Sequence, residues 1–294
     1  MRIGLDIGGT KIAAILLAPD GSVAGKRHAL MPGDYSLFLN EIKDIVEELD
    51  RAAGARCSVG VGFPGVVDHR QGVVGVCKVA YLTHRPVAAD LAAALGRPVK
   101  IANDAECFVM SEAADGAGAS YSHVFGVIMG TGAGGVQAVD RKLVLGPHGI
   151  GGGWGHVPLP FHAPEDGPVL QCFCGLKGCT EMFVSGPGLA RLHRHCTGEE
   201  LLPPLVVERA VAGDPAARAT LDHFYELAAK GFSTILHLID PDVIVIGGGL
   251  CTLPGLCEAI KARLPRYSYV KEIKTAILPA LYGADSGVRG AAWL

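Results

Sequence analysis

Three cysteines within eight residues, Cys172, Cys174 and Cys179, leave the chain around them little freedom. The stretch reads Cys172-Phe173-Cys174-Gly175-Leu176-Lys177-Gly178-Cys179, and His156 lies just upstream in Trp154-Gly155-His156. Three thiolates and one imidazole make a closed tetrahedral zinc site with no coordination position open to a substrate. Gly175 and Gly178 let so short a segment wrap a metal. The alternative is chance clustering of buried cysteines. The other six of the nine are scattered singly, as core cysteines are, and that speaks for the metal. The expectation is a structural Zn²⁺ on His156, Cys172, Cys174 and Cys179 that pins a long loop.

The rest of the chain bounds what such a loop can serve. At 294 residues there is material for two domains or one large one. Apolar residues make up 49% and charged residues 19%, the balance of a compact globular protein rather than a disordered one. A net charge of −3 offers no basic surface for nucleic acid. The uncharged run 116–139 is broken by glycines and polar residues, so no membrane span is expected. Met1-Arg2-Ile3-Gly4 runs straight into a strand, with no expected signal peptide. Odd, mostly unclustered cysteines suit a reducing compartment, so the expected location is cytoplasmic.

The 41 glycines gather at 4–9, 60–65, 130–135, 146–155 and 247–249. Four of these clusters follow apolar β-rich runs, which points to backbone-built sites at strand ends. Residues 2–30 read as three strands, and a helix with Phe38, Ile42, Ile45 and Leu49 at helical spacing begins at Ser36 and stops at Gly54. Strand 58–62, a hairpin near Arg70-Gln71-Gly72, a helix over 87–95, strand 99–102 and a helix over 105–114 follow. The order is βββαβαβα, one α/β domain over residues 1–115. Residues 116–284 repeat it loosely around the zinc loop, with strands at 124–129, 136–139 and 143–145, helices at 187–195, 205–212 and 215–238, and strand 243–246. An apolar helical tail, 285–294, is expected to pack back on the first domain. The predicted architecture is a duplicated, two-domain actin-like ATPase (ribonuclease H-like) fold with an interdomain active-site cleft.

Asp6-Ile7-Gly8-Gly9-Thr10-Lys11 sets a carboxylate and bare backbone between two antiparallel strands. Such a turn can approach phosphate oxygens through its N–H groups while Asp6 orients a metal ion or its waters; an ordinary hairpin turn is the alternative. Gly130-Thr131-Gly132-Ala133-Gly134-Gly135 matches G-x-G-x-x-G, yet Val136–Val139 alternates like a strand and no helix start follows. That context speaks for a phosphate clamp and against a dinucleotide fold or a dehydrogenase. Gly247-Gly248-Gly249 ends an apolar strand, and either a flat adenine ring or tight packing would explain it equally. Asn103-Asp104 ends another strand. Its carboxylate can accept a proton from an attacking alcohol, or simply cap the helix that begins at Ala105.

Together these residues resemble the ROK family of bacterial sugar kinases and repressors, over essentially the whole chain. The C-x-C-G-x-x-G-C-x-E stretch at 172–181 with its upstream Gly155-His156 is the most specific part. The resemblance implies ATP- and Mg²⁺-dependent phosphorylation of a sugar hydroxyl, usually O6, and is nearest to the family's N-acetylglucosamine kinases. It assigns Asp104 as general base and Asn103, Gly65, Glu181 and His156 to the sugar pocket. Asp6, Gly8, Gly9, Thr10, Lys11, Gly130, Thr131, Gly132 and Gly134 go to the phosphates and their metal, and Gly248 and Gly249 to adenosine. It also implies a homodimer.

Two positions depart from the family pattern. Gly153 stands where a sugar-binding Glu precedes x-G-H, and Lys78 where an Asn is expected. Lost hydrogen-bond partners relax discrimination, which admits a different hexose, N-acetylmannosamine, a modified sugar or a cyclitol as acceptor. Alternatively Lys78 snorkels to solvent and Gly153 only loosens a loop. Family repressors carry a helix-turn-helix segment ahead of the Asp6 loop, for which these first residues leave no room. A non-catalytic nucleotide- or sugar-binding protein is the remaining class.

Overall fold

The computed structural model describes residues 1–294. Its first sheet grows from three consecutive apolar runs, β1 (Arg2–Ile7), β2 (Lys11–Leu17) and β3 (Val23–Leu30), which pair antiparallel in sequence order. Asp34 caps α1 (Tyr35–Ala53) by accepting the Leu37 N–H, and Gly54, at φ +64°, ends it. The apolar stripe Phe38, Ile42, Ile45, Val46 and Leu49 is buried, as a 3.6-residue period requires of a helix lying on a sheet. β4 (Ser58–Phe63) returns parallel to β1. A hairpin, β5 (Gly65–Asp68) and β6 (Val73–Cys77), then leads through α2 (Val87–Leu95) to β7 (Val99–Asn103), parallel to β4, and to α3 (Asp104–Ala114). The strand order is β3-β2-β1-β4-β7.

The second unit opens with the antiparallel pair β8 (His123–Met129) and β9 (Ala133–Val139). A short strand, β10 (Lys142–Leu143), begins an excursion that belongs to the first unit. The second resumes with the cysteine-bearing loop, α4 (Gly186–Thr197), α5 (Pro203–Ala212) and the long α6 (Pro215–Ile239). β11 (Val243–Gly247) lies parallel to β8, and after α7 (Leu256–Arg263) β12 (Ala276–Pro279) lies parallel to β11. Both units therefore set one antiparallel neighbour on one side of their first strand and two parallel strands on the other. This is the repeated core of the actin-like fold. Each has its own apolar interior: Phe38, Phe63 and the β1 and β2 residues in the first, Phe125, Phe224, Phe232 and the β11 residues in the second. No helix is long and apolar enough to cross a membrane.

The C-terminal helix α8 (Ser286–Trp293) belongs to the first unit. It comes down on glycines: a Cβ on Gly4 would lie 2.1 Å from Val288 O, and one on Gly290 1.6 Å from Cys107 O of α3. Glu112, fully buried, takes the Leu281 N–H (3.1 Å), the Ser286 hydroxyl (3.0 Å) and the Ala117 N–H (3.0 Å). A buried carboxylate is tolerated only with donors of this number.

The expected boundary, with 116–284 in the second domain, needs correction. Residues 116–120, 141–151 and 281–284 group with the first unit. Gly116 and Gly118 donate back into the end of α3, Leu281 to Glu112, and Leu143 and Leu145 line a cavity with Val99, Ile101 and Trp293. These partners are remote in sequence, so contiguity gave the wrong assignment.

Candidate active site

In the first unit, strand pairing brings the expected residues together. β1, β4 and β7 are parallel neighbours, so Asp6, the Phe63-Pro64-Gly65 turn and Asn103-Asp104 emerge from the same end of the sheet. Gly8-Gly9-Thr10 forms the tight turn into β2, closed by the Gly8 N–H to Lys11 O at 2.9 Å. A side chain at Gly9 would meet nothing within 4 Å, so packing within the chain does not demand glycine there. Bare backbone held open in this way suits a phosphate.

Asn103, not Asp104, caps α3. Its side chain accepts the Glu106 N–H at 2.8 Å, and Glu106 reaches back to the Asn103 N–H at 2.7 Å, a complete capping box. The Asp104 carboxylate accepts the adjacent Ala105 N–H, at 2.9 Å. Asp104 keeps an open surface, yet its carboxyl sits deep enough that burial raises its pKa. The Ala105 N–H and, after it, the Lys78 ammonium pull the other way, and Glu106 adds a further push upward. Burial also raises Asp6, followed by repulsion from Asp104, with Lys11 opposing. A hard divalent cation on Asp6 would relieve the crowding, so the donor set fits Mg²⁺.

Gly65 adopts φ +155°, and a Cβ there would stand 2.2 Å from Val76 O. The Lys78 N–H donates to Pro64 O at 3.3 Å, so Lys78 enters beside this turn as well as beside Asp104.

In the second unit three glycine segments converge. Gly130-Thr131-Gly132 turns β8 into β9, with the Gly130 N–H on Gly132 O at 2.8 Å. The Gly186 N–H, first in α4, donates to Gly130 O at 2.7 Å, and Ser185 caps that helix through the Gly188 N–H. Gly249 N lies 3.8 Å from where a Gly130 Cβ would be. Gly248, at φ +81° and with its Cβ site 2.3 Å from Met129 O, is required by packing; Gly249 has nothing within 4 Å. Glycine turns and the positive end of the α4 dipole thus meet in one place, with the Gly186 and Gly188 amides already bonded within the chain. Gly186 was missed from the sequence, although Ser185-Gly186-Pro187 carries a helix-start signal.

The four residues expected to hold zinc close on one another. Cys172 Sγ is 3.7 Å from His156 Nδ1, Cys174 Sγ is 3.6 Å from Cys179 Sγ, and all four donor atoms lie within 4.8 Å. At a Zn–S bond of ~2.3 Å the edge of a thiolate tetrahedron is about 3.7 Å, so the donors fit the ion. Burial, then the neighbouring thiols, pushes Cys179 up to about 12, whereas the Leu176 N–H lowers Cys174. Gly175 (φ +88°) and Gly178 (φ +72°) make the turns.

Glu181 ties this loop to the glycine turn. Its Oε2 accepts the Ala133 N–H at 2.9 Å, and a Cβ on Gly132 would stand 2.4 Å from the same oxygen. The turn carrying His156 presses on the same strand, with the Gly155 Cβ site 1.8 Å from Ala133 O. Part of Glu181's hydrogen-bonding capacity is thus committed to the backbone.

A pattern described as the ROK family matches residues 2–294. The N-acetyl-D-glucosamine kinase of Escherichia coli O127:H6 is 38% identical over 299 residues, covering 100% of this chain and 99% of that protein. The structure of a ROK hexokinase from Thermus thermophilus is similar with a TM-score of 0.86 at 30% identity, covering 99% of this chain and 96% of that one. A ROK family glucokinase from Streptomyces griseus, solved with glucose and AMPPNP, follows at a TM-score of 0.74 and 27% identity, covering 99% and 97%. From end to end, then, the chain belongs to the ROK family.

Proposed function

We propose that the chain is an ATP-dependent sugar kinase whose acceptor is N-acetyl-D-glucosamine, phosphorylated at O6. The coarse reading, a sugar phosphotransferase, rests on the full-length likeness to N-acetyl-D-glucosamine kinase and on the ROK glucokinase structure. The observation that carries the chemistry is the uncapped Asp104 carboxylate, free because Asn103 does the capping.

Asp104 accepts the proton of the sugar hydroxyl as its oxygen bonds to the γ-phosphorus and the β–γ bridging bond breaks, leaving ADP. Gly8–Thr10 in the first unit and Gly130–Gly134 in the second offer backbone turns that suit phosphate oxygens, while Gly249 leaves its face free for the nucleoside. Mg²⁺, when bound through Asp6 or its waters, neutralises phosphate charge. The zinc loop orients Glu181 and through it the glycine turn. Asn103 retains its amide NH₂ for a sugar hydroxyl.

Lys78 supports a second reading, an acceptor other than N-acetyl-D-glucosamine, because its ammonium bears on the same carboxylate that meets the sugar. The test is ADP release from Mg-ATP across hexoses, N-acetylhexosamines, hexosamines and cyclitols, with Asp104→Asn beside it. The expected result is release dependent on N-acetyl-D-glucosamine, with kcat lowered ~10²- to 10⁴-fold in the variant. Preference for another acceptor would select the second reading. No release with any acceptor would leave a binding protein. A cytoplasmic homodimer completes the proposal, and light scattering tests the dimer.

A further inference from the structure

Glu106 is 3% exposed, and a buried carboxylate stays ionised only with donors or a cation against it. One oxygen takes the Asn103 N–H, completing the cap that fixes the turn from β7 into α3. The other meets His69 Nε2 at 2.9 Å. His69 follows β5 at the tip of the hairpin, 37 residues away in the chain. The same hairpin begins at Gly65 and ends one residue before Lys78. A single imidazole therefore joins the hairpin to the cap beneath Asp104.

We infer that His69 is a positioning residue for phosphoryl transfer, acting through Glu106 to hold Asn103 and Asp104 in place and to cancel the Glu106 charge. The inference rests on the kinase reading above. Glu106 pushes the Asp104 carboxyl upward, so an uncompensated Glu106 makes Asp104 ionise only at higher pH. An imidazolium at His69 removes that push. The hydrogen bond to Glu106 is the main cause that raises the His69 pKa; burial opposes it, and the Glu106 and Asp68 charges reinforce it. Lys100 of β7 and Arg141 and Lys142 of the excursion line the same cavity of about 570 Å³ as His69. None of these cations is among the causes that move His69, and its direction is upward.

The experiment compares the wild type with His69→Ala, His69→Gln and Glu106→Gln, in steady-state kinetics over a pH series and in NMR titration of the imidazole. His69→Ala should lower kcat about 10- to 100-fold, a cost typical of a misplaced catalytic group, while the KM for ATP stays within about twofold. The acid limb of kcat should move to higher pH. His69→Gln, which can still donate to Glu106, should recover much of kcat. Glu106→Gln should bring the His69 pKa down toward its ordinary ~6.5 and abolish the effect of His69→Ala on the acid limb. Unchanged kcat and acid limb in a merely less stable His69→Ala protein would overturn the inference. If no acceptor supports turnover in the wild type, the kinase reading fails by itself. The latch is then judged by NMR, and it fails if His69 titrates at its ordinary value or if the Asn103 amide ignores His69→Ala.

Discussion

Asp104 and Lys78 show how much one charge can set. Asp104 is raised by burial and held back by Lys78, so Lys78→Asn should raise it further and shift the acid limb of kcat/KM to higher pH. A pH–rate profile of the variant checks this, and an unmoved limb would leave Lys78 a solvent-facing side chain. The same burial has a stability consequence. Asp6 and Asp104 both have folded-state values above the ordinary one. Between the ordinary and the raised value the folded chain binds more protons than the unfolded one, so their contribution falls as pH rises through that window. Asp104→Asn should therefore melt at or above the wild-type temperature at neutral pH while losing turnover. At this scale the sequence was legible where neighbours decide. The pattern Asn103-x-x-Glu106 is a capping box legible in the sequence, and it makes Asn103 rather than Asp104 the cap. His69 was not legible, because its meaning depends on a hairpin folding onto a helix 37 residues further on.

Elements built on local periodicity were largely readable. The stripe of α1 and the strand after Gly130-Thr131-Gly132 appear where the pattern puts them, since a 3.6- or 2-residue repeat is a property of the segment itself. The excursion 141–151 was not, because its partners Val67, Val99 and Trp293 are set by the fold. The 172–181 loop, proposed to hold zinc, contacts the glycine turn through Glu181. Cys174→Ser, or removal of zinc with a chelator, should loosen the 172–181 turn and with it the Glu181 contact to Ala133 in the glycine turn. Both changes should lower the melting temperature and raise the KM for ATP, read by calorimetry and kinetics. If zinc loss left the KM untouched, Glu181 would not couple the two. Gly290 is the matching point on α8. Alanine is the better helix former by about 1 kcal/mol, but a Cβ 1.6 Å from Cys107 O forces α8 off α3. Overpacking of that kind costs about 1–3 kcal/mol, so Gly290→Ala should melt lower by several degrees.

For the molecule as a whole, the repeated strand pattern was visible as order and spacing, while the membership of each unit was not. Residues 281–294 supply donors to the buried Glu112 and Arg289 to Asp115, so their deletion strips an internal face of the first unit. Hydrogen exchange on such a deletion should show lost protection over β1, β4 and α3, with β8, β11 and α6 still protected. Uniform loss in both units would show instead that they unfold as one. The return of α8 also bears on how the protein is made. Residues 1–120 are translated first, but the helix that seals them is encoded after the entire second unit. Vectorial synthesis therefore inverts the usual N-to-C order of maturation: the second unit can consolidate while the first waits, its glycine-lined landing strip for α8 exposed to chaperones and to neighbouring chains until residues 286–293 have been made.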